Sequence, residues 1–298
     1  MTDATPVVLE VALNGATPKE RNAAVPKEPA EIAEDALGCL EAGATIIHTH
    51  SDQPTLTGEA AAARYHEAYR PVMDARPDAI LYPTICFDPD NRPEAKVGHQ
   101  RHLASAGVIR QGILDPGSVN LGGAGADGLP QDGTFVYVNG AADIRLSAEV
   151  CRESRLGPSV AIFEPGYFRV ILAAHRAGTL PPGTLVKFYF SEGGYFGGGE
   201  PTYSAPPIPA ALELYLAMLG DANLPWAVAD LGGGILDTPV ARMALERGGH
   251  LRVGLEDHMD ARSNRDEVQK ARALCADAGR PLATPAEAEA LLGLPKLA

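Results

Sequence analysis

Two histidines one residue apart close an apolar run, Thr45-Ile46-Ile47-His48-Thr49-His50. In an extended strand alternate side chains share a face, so both imidazoles point the same way. Neutral imidazoles at that spacing suit zinc or another borderline divalent ion, which also needs a third ligand and an open position for substrate. Glu256 is the natural third ligand, because it ends a second apolar run, Leu251-Arg252-Val253-Gly254-Leu255-Glu256-Asp257. Alternation puts Arg252, Gly254 and Glu256 on one face and leaves Asp257 at the turn. The competing readings are a pair of partly buried, hydrogen-bonded histidines and an acidic pair that caps the following helix. Placement of His48, His50 and Glu256 at strand ends favours the metal.

Other polar groups stand at strand ends with their roles open. Thr84 follows Tyr82-Pro83 and Ser118 follows Asp115-Pro116-Gly117; such hydroxyls either bind a substrate carboxylate or cap turns. Glu10, Asn14 and the turn Gly15-Ala16-Thr17 belong to the first strand, and Glu164 ends the fifth. Substrate contact competes there with a loop hydrogen bond or a helix start. Gly122–Gly128 and Gly193–Gly199 read as flexible lids rather than phosphate cradles, since neither matches the GxxxxGK[ST] pattern.

These groups meet only if the scaffold brings the second and the last strand to one mouth. Strand-like runs fall at Val7–Leu13, Thr45–His50, Ile80–Phe87, Ile109–Gly117, Ser159–Glu164, Leu185–Phe190, Trp226–Leu231 and Leu251–Glu256. Helical patterns lie between them, at Pro29–Ala42, Tyr167–Ala177, Pro209–Leu219, Thr238–Arg247 and Asn264–Ala278. Gly43, Gly107, Gly178, Gly220, Gly248 and Gly279 stand where helices should end. Strand-then-helix units repeated along the chain, with no GxGxxG in the first crossover, predict an α/β fold of the (β/α)₈ TIM-barrel type over residues 1–298, as one domain. Barrel active sites form at the C-terminal rim, where the histidines and Glu256 fall. The glycine-rich interruptions Gly117–Asn139 and Ser191–Pro209 also follow strands.

Composition narrows the partners. The chain has 298 residues, 45% of them hydrophobic, enough for one large core. A formal charge of −13 argues against nucleic acid, which demands a basic face. Cys39, Cys86, Cys151 and Cys275 are far apart and form no CxxC pair, so they read as reduced, buried thiols. Met1–Val8 lack a basic and apolar leader pattern, and no window approaches about 18 unbroken apolar residues. The expectation is a cytoplasmic protein without a membrane partner.

The order Ala12-Leu13-Asn14-Gly15-Ala16, His48-Thr49-His50, Phe163-Glu164-Pro165-Gly166, Gly232-Gly233 and Arg252-Val253-Gly254-Leu255-Glu256-Asp257 runs nearly end to end. In it the sequence resembles the β-keto acid cleavage enzymes, the family of 3-keto-5-aminohexanoate cleavage enzyme. The resemblance implies a zinc-dependent barrel that condenses a β-keto acid with acetyl-CoA, giving acetoacetate and a new CoA thioester. It implies His48, His50 and Glu256 as metal ligands, Arg252 and Asp257 as the catalytic pair, hydroxyls of Thr84 and Ser118 on the substrate carboxylate, and a homotetramer. In that scheme zinc polarises the β-keto oxygen, Asp257 is the base that generates an acetyl-CoA enolate, and Arg252 with the metal stabilises the developing charge.

Some positions depart from that pattern. Thr17-Pro18-Lys19 occupies the first turn and His258 follows Asp257, so side-chain specificity is not carried over. CoA phosphates call for local cations in an acidic protein, and Arg92, Lys96 and Arg101 are the positions considered. The apolar segment Ala286–Leu297 either packs subunits together or covers the barrel's own bottom. The rival functions are a metal-dependent aldolase or lyase that needs no CoA, an amidohydrolase-type hydrolase, and a barrel kept as a binding module. The hydrolase is disfavoured because its HxH belongs on the first strand and its middle strands carry histidines, where this chain has Glu164 and Phe190.

Overall fold

The structure, a computed structural model, describes residues 5–132, 135–193, 195 and 198–296. Eight parallel strands make the wall: β1 (Leu9–Ala12), β2 (Ile46–Thr49), β3 (Ile80–Pro83), β4 (Gln111–Ile113), β7 (Gly157–Ile162), β8 (Leu185–Phe190), β9 (Trp226–Asp230) and β10 (His250–Val253). A small antiparallel hairpin, β5 (Val119–Leu121) and β6 (Phe135–Tyr137), interrupts them. The order around the wall is β3-β2-β1-β10-β9-β8-β7-β4. First and last strands pair in register Glu10 to Arg252, while Ala12 pairs with His48. The remaining seam is bridged where the Arg110 N–H, at the start of β4, donates to the Leu81 carbonyl of β3 at 3.1 Å. The expected TIM barrel is therefore the observed fold.

Parallel neighbours require crossovers, and helices supply them. They are α1 (Pro29–Ala42), α2 (Gly58–Ala75), the short pair α3 (Pro93–Val97) and α4 (His99–Ser105), α5 (Ala141–Glu153), α6 (Pro165–Arg176), α7 (Pro209–Leu219), α8 (Pro239–Glu246) and α9 (Asn264–Asp277). Proline opens six helices, a position that needs no N–H donor. The six glycines expected to end helices all take positive φ. Among the described residues no helix is long and apolar enough to cross a membrane, and the four cysteines are buried and unpaired.

A last helix, α10 (Pro285–Leu292), bears on the second reading of the C-terminal segment. Ala288, Leu292 and Leu294 pack with Val8, Ile46, Ile80, Leu185 and Ala227, residues at the N-terminal ends of the wall strands. The segment covers the barrel's own bottom; Leu297 lies outside the described residues.

Several strands are shorter than their apolar runs. The third stops at Pro83, after which the chain bends and the Cys86 N–H bonds to Lys96 O. The last stops at Val253, because Gly254 at φ +129° starts a turn in which its carbonyl accepts from the N–H groups of Asp257 and His258. Part of the expected loop Gly117–Asn139 is the hairpin. Of the expected loop Ser191–Pro209, Gly194, Phe196 and Gly197 lie outside the described residues, as do Gly133 and Thr134 of the earlier one.

Candidate active site

At the C-terminal rim, His48 and His50 from the end of β2 meet Glu256 from the turn after β10. His48 Nε2 is 3.4 Å from Glu256 Oε2, and His50 Nε2 is 3.3 Å from Oε1. One donor atom from each residue lies within 4.8 Å of the others, the kind of cluster that holds a metal ion. His48 Nδ1 and Glu256 Oε2 are buried without a hydrogen-bond partner, a costly arrangement unless another group engages these atoms. The donor set, two imidazoles and one carboxylate, matches what a catalytic zinc site uses. The residues fit the metal.

Local sequence explains the placement. Asn14 uses its whole amide: Oδ1 accepts from the N–H groups of His50 (2.8 Å) and Gly15 (2.9 Å), and Nδ2 donates to the carbonyls of His50 (2.9 Å) and Pro26 (3.1 Å). Asn14 therefore positions a ligand and has no group left for substrate. His48 stacks on Tyr82, ring centroids 4.4 Å apart. Burial holds the His48 imidazole well below its usual range, against the pull of Glu256, so it is neutral and available as a ligand. For Glu256 burial acts upward, but His50, Arg252 and His48 outweigh it and keep the carboxylate ionised.

Beneath the triad lies a buried ionic network. Arg252, 1% exposed, donates twice to Asp257, from Nε (2.9 Å) and Nη2 (3.0 Å). Its Nη1 donates to Glu10 Oε1 (2.6 Å), and Nη2 also lies 3.0 Å from Glu256 Oε1. Lys187 donates to Glu10 Oε1 (3.0 Å) and to the Tyr82 hydroxyl (2.7 Å), and that hydroxyl donates to Glu10. Burial acts upward on Glu10, yet Lys187 and Arg252 bring it down to about 2. Burial lowers the Lys187 ammonium and raises Asp257, in each case against the attraction of opposite charges.

A cavity of about 370 Å³ opens over this network. Its wall includes His48, His50, Glu256, Arg252 and Thr84 from the predicted set, together with Lys187, Tyr82, Asp115 and Ser159. Asp257 stands one side chain back, 2% exposed and bound to Arg252. Two residues expected at the substrate are elsewhere. Ser118 is exposed, and its hydroxyl accepts from the Asn139 N–H (2.8 Å) and donates to the Asn139 carbonyl (3.2 Å), pinning the hairpin base. Glu164 precedes α6 and accepts the Ser204 N–H at 2.9 Å. The cations considered for CoA are claimed by carboxylates: Arg92 by Asp88, Lys96 by Asp143, Arg101 by Glu94 and Glu153.

Sequence reasoning passed over Lys187, although one lysine in the apolar run Leu-Val-Lys-Phe-Tyr-Phe was a usable signal. Its parity with Tyr189 turns it into the barrel, where both line the cavity.

The model of the β-keto acid cleavage enzymes matches residues 6–294. The chain belongs to that family. It is 28% identical to the 3-oxoadipate:acetyl-CoA acetyltransferase of Cupriavidus necator, over 98% of this chain and 96% of that one. It is 27% identical to the 3-keto-5-aminohexanoate cleavage enzyme of Acetoanaerobium sticklandii, over 97% and 99%. Among solved structures, the ternary complex of ObcA with a C4-CoA adduct and oxalate superposes with a TM-score of 0.67 at 18% identity, over 91% of this chain and 68% of that one, a likeness of fold. As a member of the cleavage-enzyme family, the chain is an enzyme, and its triad and ionic network occupy the catalytic end of the barrel.

Proposed function

We propose that this β-keto acid cleavage enzyme transfers the acyl group of a β-keto acid to CoA at the expense of acetyl-CoA, with zinc on His48, His50 and Glu256. The triad, with His48 and Glu256 buried, His50 half-buried and two buried atoms unsatisfied beside an open cavity, is the observation that carries this reading. The names of the relatives, which join acetyl-CoA to keto-acid chemistry, support the co-substrate. The family resemblance further supports a homotetramer, and we read the chain as a single cytoplasmic domain.

Atom balance defines the steps. The bond between C2 and the keto carbon breaks, C2 bonds to the acetyl carbonyl carbon, and the CoA thiolate moves to the released acyl group. Products are acetoacetate and the new acyl-CoA. The proton to be removed therefore sits on C2 of the keto acid, between two carbonyl groups, rather than on the thioester methyl. That carbon is the more acidic of the two, so a carboxylate base suffices.

Asp257 is the proposed base. Catalytic hydrogen bonds commonly tighten only with substrate bound, so its place behind Arg252 is compatible with that role once Arg252 turns one donor to the substrate. Arg252 stabilises negative charge as it develops, a contribution enhanced by burial. Thr84 offers its hydroxyl to the substrate carboxylate. A bound divalent ion would supply Lewis acidity toward the keto oxygen.

The decisive experiment combines metal analysis of the purified protein with product detection. The expected result is close to one zinc per chain, and acetoacetate formed from a β-keto acid only when acetyl-CoA is present. Cleavage without acetyl-CoA would move the assignment to an aldolase or lyase, and protein without metal would remove the triad's role.

A further inference from the structure

The cavity has two unlike sides. The one toward β1, β2 and β10 is polar and holds the triad and Arg252. The other, built by the end of β4, the segment after β3 and the β5–β6 hairpin, presents Ile85, Phe87, Ile113, Leu121 and Phe135, with Thr84 at its edge. The rings of Phe87 and Phe135 are 5.8 Å apart, and Phe135 stacks on Tyr137 at 6.3 Å, so the hairpin extends the apolar wall toward the mouth.

Charge on that side is one carboxylate held by neutral donors. Asp115 is its acidic group, and both of its oxygens are taken: Oδ2 accepts from the Tyr137 hydroxyl (2.5 Å) and Oδ1 from the Ala161 N–H (3.1 Å). The cations that line the cavity, Lys187 and Arg252, are bound to Glu10 and Asp257. A second substrate carboxylate entering here would lie against apolar groups near Asp115, and an ammonium would give up its water against the same apolar groups, with only a carboxylate already hydrogen-bonded to Tyr137 and Ala161 to meet it. Burial of a charge without a partner is strongly unfavourable, whereas alkyl or aryl surface is favoured against such a wall.

We propose, on the acetyl-CoA-dependent reading above, that the β-keto acid accepted by this chain carries an uncharged, apolar side chain, seated on Ile113, Leu121 and Phe135. Its substrates then differ in class from the dicarboxylate and the amino-keto acid in the names of the two relatives.

Three β-keto acids test this with the wild-type, metal-loaded protein: β-ketohexanoate as the alkyl member, 3-oxoadipate as the acidic one and 3-keto-5-aminohexanoate as the cationic one. The expected kcat/KM is higher for the alkyl acid by roughly tenfold or more over either charged acid. Equal or better turnover of a charged acid overturns the proposal and leaves acetyl-CoA-dependent cleavage standing. If no acid turns over, the functional reading fails, and thermal stabilisation by each acid without acetyl-CoA decides the pocket. A larger Tm shift with β-ketohexanoate supports the apolar seat; a larger shift with a charged acid, or no shift, refutes it.

Discussion

A β-carbon at Gly15 would stand 2.3 Å from Cγ of Glu256 and 2.8 Å from its Cβ, on a backbone at φ +48° that disfavours any other residue. Gly15→Ala must therefore push Glu256 away from the histidines. It is expected to lower zinc affinity by roughly 10–100-fold, as outer-shell changes do, while circular dichroism stays native; unchanged affinity in a competition titration with a chelator would show that Glu256 is no ligand. The catalytic pair separates from the triad by a different pair of variants. His48→Ala is expected to abolish bound metal, and Asp257→Asn to keep it while kcat falls by about 10²–10⁴-fold, the range for loss of a general base. Equal metal loss in both variants contradicts the roles assigned.

At the scale of elements, the ionic network ties strands distant in sequence: Glu10 on β1, Tyr82 on β3, Lys187 on β8 and Arg252 on β10. A buried charge deprived of its partner costs about 3–5 kcal/mol, and because Glu10 keeps Arg252, Lys187→Met should destabilise by less than that. Adding Glu10→Gln should cost less than the two single changes summed, because the carboxylate that lost one of its two cations is gone. Chemical denaturation of the four proteins measures the coupling, and strict additivity would argue that Lys187 and Glu10 do not act together. This network also marks where the sequence stopped being informative. Wall strands and helices were legible because apolar alternation and terminal glycines are local signals, and the HxH with Glu256 because each lies at the end of such a run. The bend at Gly254 that carries Glu256 inward was not visible as a turn, since apolar residues continue through it. Ser118 and Glu164 look like substrate ligands by position, but hydrogen bonds to Asn139 and Ser204 use them structurally, and those partners are 21 and 40 residues away.

Across the whole molecule, buried titratable groups couple stability to pH with opposing signs. His250 at the barrel wall accepts the Val8 N–H on Nδ1 at 3.1 Å, and burial beside the Arg280 cation brings it from 6.5 down to about 4. His99, between Cys86 and the Thr84 carbonyl, is likewise brought to about 4 by burial. A lowered histidine favours the folded state fully above 6.5, and that stability is lost as pH falls through the window to about 4. Asp230 works the other way: burial and the Glu192 charge lift it to about 7, so its contribution is lost as pH rises toward that value. The overall profile mixes these terms, and a variant isolates one of them. His250→Asn keeps an acceptor for the Val8 N–H but has no titrating group. The stability of the wild type minus that of the variant should be constant above pH 6.5 and decline by up to about 3 kcal/mol toward pH 4, the free-energy equivalent of the shift. Urea unfolding at several pH values reads this difference directly; a flat difference across the window would mean that His250 is charged in the folded protein, and the Val8 hydrogen bond would have to be reassigned.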